Sequence, residues 1–221
     1  MPVFSTARQK MVDSQVRTND VTDHRIIDAM IAVPREAFVP DELRAIAYLD
    51  RDLDVGGSGA GPRYLLAPQL TGKLLQAAEI TAVDNVLIVG CATGYLAALA
   101  VPLGAKVTAT ESDAALVARA QGILAGLGLG SVTVKAAGSA EGDPAGAPFD
   151  VIILNGATEI APESLFGQLA EGGRLLGVFA KTHPARAMIV TRSHGDFGNR
   201  VLFDAAAPVL PGLERVPEFV F

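Results

Sequence analysis

Three scarcities in this chain of 221 residues each remove a class of function. Cysteine occurs once, at Cys91, so no internal disulfide can form and a thiolate zinc cluster has no ligand set. Histidine occurs three times, at His24, His183 and His194, in no metal-ligand spacing, so no metal site is expected. Basic residues are outnumbered: 18 Lys and Arg against 24 Asp and Glu give a formal charge of −6 and a pI near 5.0. No general nucleic-acid partner is expected from that balance. An uninterrupted membrane-spanning run is lacking too. Residues 86–104 come nearest, but Gly90, Gly94, Pro102 and Gly104 break them. The N-terminus has no apolar core of the signal-peptide kind, so no membrane association and a cytoplasmic location are expected.

What is present fits one domain over residues 1–221, with residues 1–80 as an N-terminal helical and loop extension packed on an α/β core. A chain of this length buries about 70% of its unfolded surface and needs no covalent staple. Its organising stretch is Val86-Leu87-Ile88-Val89-Gly90-Cys91-Ala92-Thr93-Gly94-Tyr95, followed by an alanine-rich run. An apolar strand enters a glycine turn, and a helix leaves it with free N–H groups at its start. The spacing of Gly90 and Gly94, with Ala92 between, is not the dinucleotide fingerprint.

Along the chain, Thr22-Asp23 caps a helix carrying Ile26, Ile27, Met30 and Ile31, which Pro34 ends. Asp50-Arg51-Asp52-Leu53-Asp54 reads as a solvated turn, and Gly56-Gly57-Ser58-Gly59-Ala60-Gly61-Pro62 as a loop. A helix follows Pro68. Strands are expected at 86–89, 106–110, 132–134, 150–154 and 174–179, with helices at 95–103, 113–127 and 162–169. A hairpin pairs 188–191 with 201–203 across a wide connection, Gly195-Asp196-Phe197-Gly198-Asn199. The fold class is therefore α/β: a Rossmann-like, mostly parallel twisted sheet with a C-terminal antiparallel hairpin and helices on both faces. The apolar tail from Val209 to Phe221 closes the core or pairs with another copy, so a monomer or weak homodimer is expected.

Glu111 ends the second strand of this core, 21 residues after Gly90. A carboxylate there can accept both hydroxyls of a ribose, in an adenosyl or a dinucleotide ligand. The missing third glycine and the terminal hairpin favour the adenosyl one. Asn155, just beyond the fourth strand, lies where an open sheet exposes its ligand crevice.

These residues carry a resemblance. Val33-Pro34-Arg35-Glu36-Ala37-Phe38-Val39-Pro40, Ala47-Tyr48-Leu49-Asp50, Gly90-Cys91-Ala92-Thr93-Gly94-Tyr95, Ala147-Pro148-Phe149-Asp150-Val151-Ile152 and Gln168-Leu169-Ala170-Glu171-Gly172-Gly173-Arg174-Leu175 fall in the order seen in protein-L-isoaspartate O-methyltransferases. The chain resembles that family over roughly residues 10–205. The resemblance implies a class I methyltransferase with S-adenosylmethionine as cofactor, held over Gly90, Ala92 and Gly94 with its ribose on Glu111. It also implies a repair activity on an isoaspartyl-containing protein or peptide.

The chain departs from the family pattern in places. Tyr64-Leu65-Leu66-Ala67-Pro68 stands where the family reads Thr-Ile-Ser-x-Pro, so Leu66 replaces a serine. Ile88 replaces an acidic residue, Ala92 a glycine, and Gly138-Ser139-Ala140 a Gly-Asp-Gly. Ser139 is then the residue left to meet the adenine, and Arg63 and Tyr64, with Leu66, a replacement acceptor surface. A carboxylate acceptor is already ionised at neutral pH and needs no general base. No catalytic residue is therefore assigned, and positioning carries the rate. Two alternatives accompany the isoaspartyl reading: a methyltransferase for another small acceptor, and an inactive methyltransferase-like binding protein.

Overall fold

The computed structural model describes residues 2–56, 61–104 and 106–216. The expected Gly57-to-Ala60 part of the loop and the last apolar residues, 217–221, lie outside the described residues.

The N-terminal third is built of short helical pieces. Helix α1 (Pro2–Met11) continues through single turns to Asn19, and α2 (His24–Ala32) starts where the Asp23 carboxylate accepts the Arg25 N–H at 2.9 Å. A two-stranded antiparallel ribbon follows, β1 (Leu53–Asp54) with β2 (Tyr64–Leu65), and then α3 (Pro68–Ala78) with proline in its first turn. The expected solvated turn at 50–54 is corrected here. Leu53 is buried in β1, and the Asp52 carboxylate accepts the Ala67 N–H at 2.7 Å. That bond and burial order the segment.

The α/β core comprises β3 (Asn85–Val89), α4 (Tyr95–Ala100), β4 (Lys106–Glu111), α5 (Ala114–Gly126), β5 (Thr133–Ala136), β6 (Phe149–Thr158), α6 (Glu163–Phe166), β7 (Leu169–Phe179), β8 (Arg186–Ser193) and β9 (Asp196–Asp204). Seven strands lie in the order β5-β4-β3-β6-β7-β8-β9. The first five are parallel, and β8 and β9 are antiparallel, as the composition of the strands implied. The chain runs outward from β3 to β5 and then returns to β6 on the other side of β3. The carboxyl end of β3 is thus the switch point where such sheets take their ligands.

Successive residues of β3 serve opposite faces. Val86 and Ile88 join a large apolar cluster with the N-terminal helices, α4 and α5. Leu87 and Val89 join a second cluster that includes Leu165, Leu169, Leu210 and Leu213. Among the described residues, no long helix covers that second face. Residues 137–148 connect β5 to β6 without one, and α6 spans four residues rather than the expected 162–169. The C-terminal segment fills the deficit: Leu210 is 5% exposed and Leu213 is fully buried.

The hairpin also differs from expectation. Ser193 pairs with Asp196, so His194 and Gly195 alone form the connection, with φ of 53° and 83°. Two left-handed residues make the type I′ geometry that matches strand twist. Asp196 to Asn199 read as loop because β9 is an exposed edge strand with little apolar pattern. No helix among the described residues is long and apolar enough to cross a membrane.

Candidate functional site

The turn after β3 has a left-handed backbone at Gly90 (φ 68°), Ala92 (50°) and Gly94 (94°). Ala92 adopts it at a steric disadvantage that glycine would not carry. Backbone bonds fix the turn: Cys91 N–H to the Thr110 carbonyl at 2.9 Å, and Gly94 N–H to the Cys91 carbonyl at 2.8 Å. The Thr93 hydroxyl ties it to the Phe38 carbonyl at 2.6 Å. Cys91 is buried, and desolvation together with the charge of Glu111 pushes its thiol pKa well up, so it supplies no thiolate.

Glu111 ends β4 at 1% exposure and gathers donors from three directions. Its Oε2 accepts the Ala92 N–H at 2.9 Å, which joins the glycine turn to the second strand. Its Oε1 accepts the Ser112 N–H at 2.9 Å and the Asp113 N–H at 3.2 Å. Oε1 also accepts Arg63 Nε–H at 3.0 Å, in an ion pair whose two side chains are 7% and 1% exposed. Arg63 Nη2 donates to the Ser112 hydroxyl at 2.8 Å, and Nη1 to the Pro62 carbonyl at 3.1 Å. A carboxylate offers about four lone-pair sites. Three of the four N–H donors, with the Ser112 hydroxyl at 3.3 Å, crowd onto Oε1, while Oε2 takes the Ala92 N–H.

Asn155 sits where β6 passes the turn. Its Nδ2 donates to the Gly90 carbonyl at 2.9 Å and the Tyr64 carbonyl at 3.2 Å, tying β2 and β3 to β6. Arg63, Tyr64, Gly90 and Asn155 therefore meet, together with Pro62 and Pro208 to Pro211, around a cavity of about 10 Å³. Such a space holds about one water molecule.

The other expected residues fall elsewhere. Leu66 lies in the core at 2% exposure and presents no side-chain surface to an acceptor; its carbonyl accepts Arg35 Nη2–H at 2.8 Å. Ser139 is buried in the turn after β5 and does not line the Asn155 cavity. Arg63, expected on the acceptor side, holds the Glu111 carboxylate instead.

Two contributors were missed. Arg35 is fully buried and, among the described residues, no carboxylate pairs with it; it donates to the Ala47 carbonyl at 2.7 Å and lies 5.0 Å above the Tyr95 ring. Burial pushes its guanidinium pKa down. It links the segment before α3 to α4, and its only sequence signal is its place within Val33–Pro40. The second is Leu210, whose partners Gly90 and Gly156 are 120 and 54 residues away in sequence.

The sequence profile described as protein-L-isoaspartate(D-aspartate) O-methyltransferase matches residues 6–202. The chain is 34% identical over 194 residues to a protein-L-isoaspartate O-methyltransferase 1 of Rhodopseudomonas palustris (strain HaA2), covering 87% of this chain and 78% of that protein. It is 38% identical over 173 residues to a protein-L-isoaspartate O-methyltransferase of Koribacter versatilis (strain Ellin345), covering 78% and 76%. Among solved structures, a protein-L-isoaspartate O-methyltransferase superposes with a TM-score of 0.82 at 22% identity, over 94% of this chain and 67% of the other. A putative protein-L-isoaspartate O-methyltransferase from Plasmodium falciparum, in complex with S-adenosyl-L-homocysteine, gives 0.76 at 18% identity, over 92% and 97%. At these identities the two structures speak to the fold, and the sequence matches decide the family. With its parallel sheet, glycine turn and acidic second-strand end, this chain belongs to the protein-L-isoaspartate(D-aspartate) O-methyltransferase family.

Proposed function

We propose that this chain transfers the methyl group of S-adenosylmethionine to the free carboxylate of isoaspartyl residues in proteins or peptides. Family membership supports the reading over most of the chain. The observation that carries it is the 2.9 Å bond from Ala92 N–H to the Glu111 carboxylate. It joins the turn after β3 to the acidic end of β4 at the switch point of the sheet, where a nucleoside ligand is received.

In the conformation described, the residues do not accommodate a bound donor. Arg63, Ser112 and Asp113 crowd Oε1 of Glu111, Ala92 takes Oε2, and Leu210 covers Gly90. The space left beside Gly90 and Asn155 is about 10 Å³. The acceptor side makes small chemical demands, since an isoaspartyl carboxylate is ionised at neutral pH. The chain's task there is to hold the acceptor and exclude water. The test is methyl incorporation from labelled S-adenosylmethionine by the purified full chain. An isoaspartyl peptide is expected to acquire a base-labile methyl ester while the matched aspartyl peptide does not. Absence of label from both peptides, or equal labelling of both, contradicts the proposal.

A further inference from the structure

Glu111 and Gly90 are each covered by a group that no ligand-binding role calls for. Three of the four N–H donors on Glu111 are backbone groups of Ala92, Ser112 and Asp113, fixed by the turn and by the start of α5. The fourth, Arg63, comes from a different element, next to Gly61 (φ 69°) and Pro62 at the edge of the two-stranded ribbon. Of the four, only Arg63 can leave without unfolding the turn.

On the other side, Leu210 rests in a groove floored by two glycines. A Cβ on Gly90 would stand 2.5 Å from Leu210 Cδ2, and one on Gly156 would stand 2.8 Å from Leu210 Cγ. Gly90, just after β3, and Gly156, in β6, both lie against Leu210, so the seat exists because both positions lack side chains. The tether of the segment is short. Ala157 N–H donates to the Pro208 carbonyl at 2.7 Å, Leu210 N–H to the Ala157 carbonyl at 2.9 Å, and Glu159 N–H to the Leu213 carbonyl at 2.9 Å. Among the described residues the strand pairing beyond β9 is one isolated bridge, Ala157 with Val209, and burial of Leu210 and Leu213 with the Arg215 N–H on the Glu159 carboxylate supplies the rest of the hold. Peripheral attachments of this kind open before a central ladder such as that of β3 and β6.

We propose that Arg63 and the segment Pro208–Leu213 form an internal plug of the donor crevice, and that S-adenosylmethionine binds only when Arg63 leaves Glu111 and Leu210 leaves Gly90. The inference rests on the methyltransferase reading above. Ribose hydroxyls would reach the Glu111 carboxylate through the space that Arg63 vacates, and the glycine turn would gain a free surface. Apparent donor affinity is then the intrinsic affinity reduced by the open fraction. By linkage, donor binding must loosen the C-terminal segment to the same extent that loosening favours the donor.

The experiment titrates S-adenosylhomocysteine into wild type, Arg63→Met and Leu210→Ala by calorimetry, with circular dichroism confirming the fold. Hydrogen–deuterium exchange of wild-type full chain, with and without saturating S-adenosylhomocysteine, accompanies it. The plug predicts affinity about tenfold tighter in each variant, as expected when a closed state is disfavoured. It also predicts faster exchange over residues 205–216 with ligand bound. Equal or weaker binding by folded variants, or slower or unchanged exchange in that segment, overturns the plug while leaving the methyltransferase reading intact. If folded wild type and variants all bind nothing at millimolar ligand, both proposals fall. Should either variant not fold, the wild-type exchange experiment decides alone.

Discussion

Replacing Glu111 with glutamine keeps the shape of the side chain and removes its charge, and its cost can be worked from the contacts. Oε1 in the glutamine can retain Arg63, Ser112 and Asp113, but the new amide NH₂ then faces the Ala92 N–H. Two donors confront each other in a buried site, which costs about 1–3 kcal/mol. The Arg63 guanidinium also loses its counter-charge at 7% exposure, and breaking a buried pair in this way costs about 3–5 kcal/mol in total. Arg63→Met should cost less, about 1–2 kcal/mol, because three backbone N–H groups still hold the carboxylate. In the Arg63→Met background, Glu111→Gln no longer strands a cation, so the two substitutions should couple by at least about 1 kcal/mol. Urea unfolding followed by far-ultraviolet circular dichroism suits the chain, which has no tryptophan. For a protein of this size, Glu111→Gln alone should lower Tm by about 6–20 °C. Additivity of the two substitutions within about 0.3–0.5 kcal/mol would refute the reasoning, since it would mean the pair is not formed in solution.

Two further outcomes follow from backbone and charge. Ala92→Gly relieves a left-handed alanine and should stabilise by about 1 kcal/mol, raising Tm by about 2–4 °C in a calorimetric scan; a lower Tm contradicts the assigned φ of 50°. Burial opposes ionisation of Asp84, yet the Thr81 backbone N–H and hydroxyl and the Arg174 guanidinium outweigh it and hold the carboxyl below its ordinary value. A depressed carboxyl stabilises above its unfolded pKa, and that stability is lost as pH falls through the folded pKa. Asp84→Asn should therefore be less stable at pH 7 by about 1–2 kcal/mol, with the gap closing as pH falls below the ordinary aspartate range; a gap unchanged from neutral to acid pH in urea titrations contradicts the assignment.

The legible parts of this fold were those in which local pattern and burial agree. β3 and β6 are apolar at successive positions because both faces are covered, and Asp23 and Asp113 begin helices by accepting backbone N–H groups as their positions implied. The hairpin connection was misplaced because exposed β9 carries glycine, asparagine and aspartate where a buried strand would carry aliphatic residues. The same sequence reading located Gly90, Glu111 and Asn155 at one end of the sheet. It did not anticipate Arg63 on Glu111, an ion pair across 48 residues whose formation depends on how a short ribbon folds over the turn. Nor did the apolar character of the tail disclose its seat. That seat depends on Gly90 and Gly156, 66 residues apart in sequence, both lying against Leu210 in the folded chain.

The most direct measurement is a crystal structure of the full chain with S-adenosylhomocysteine bound. The account predicts ribose hydroxyls within hydrogen-bond distance of the Glu111 carboxylate, Arg63 turned away from it, and Leu210 lifted from Gly90. A nucleoside bound elsewhere, or bound in the crevice with the Arg63–Glu111 pair and the Leu210 seat unchanged, would contradict it.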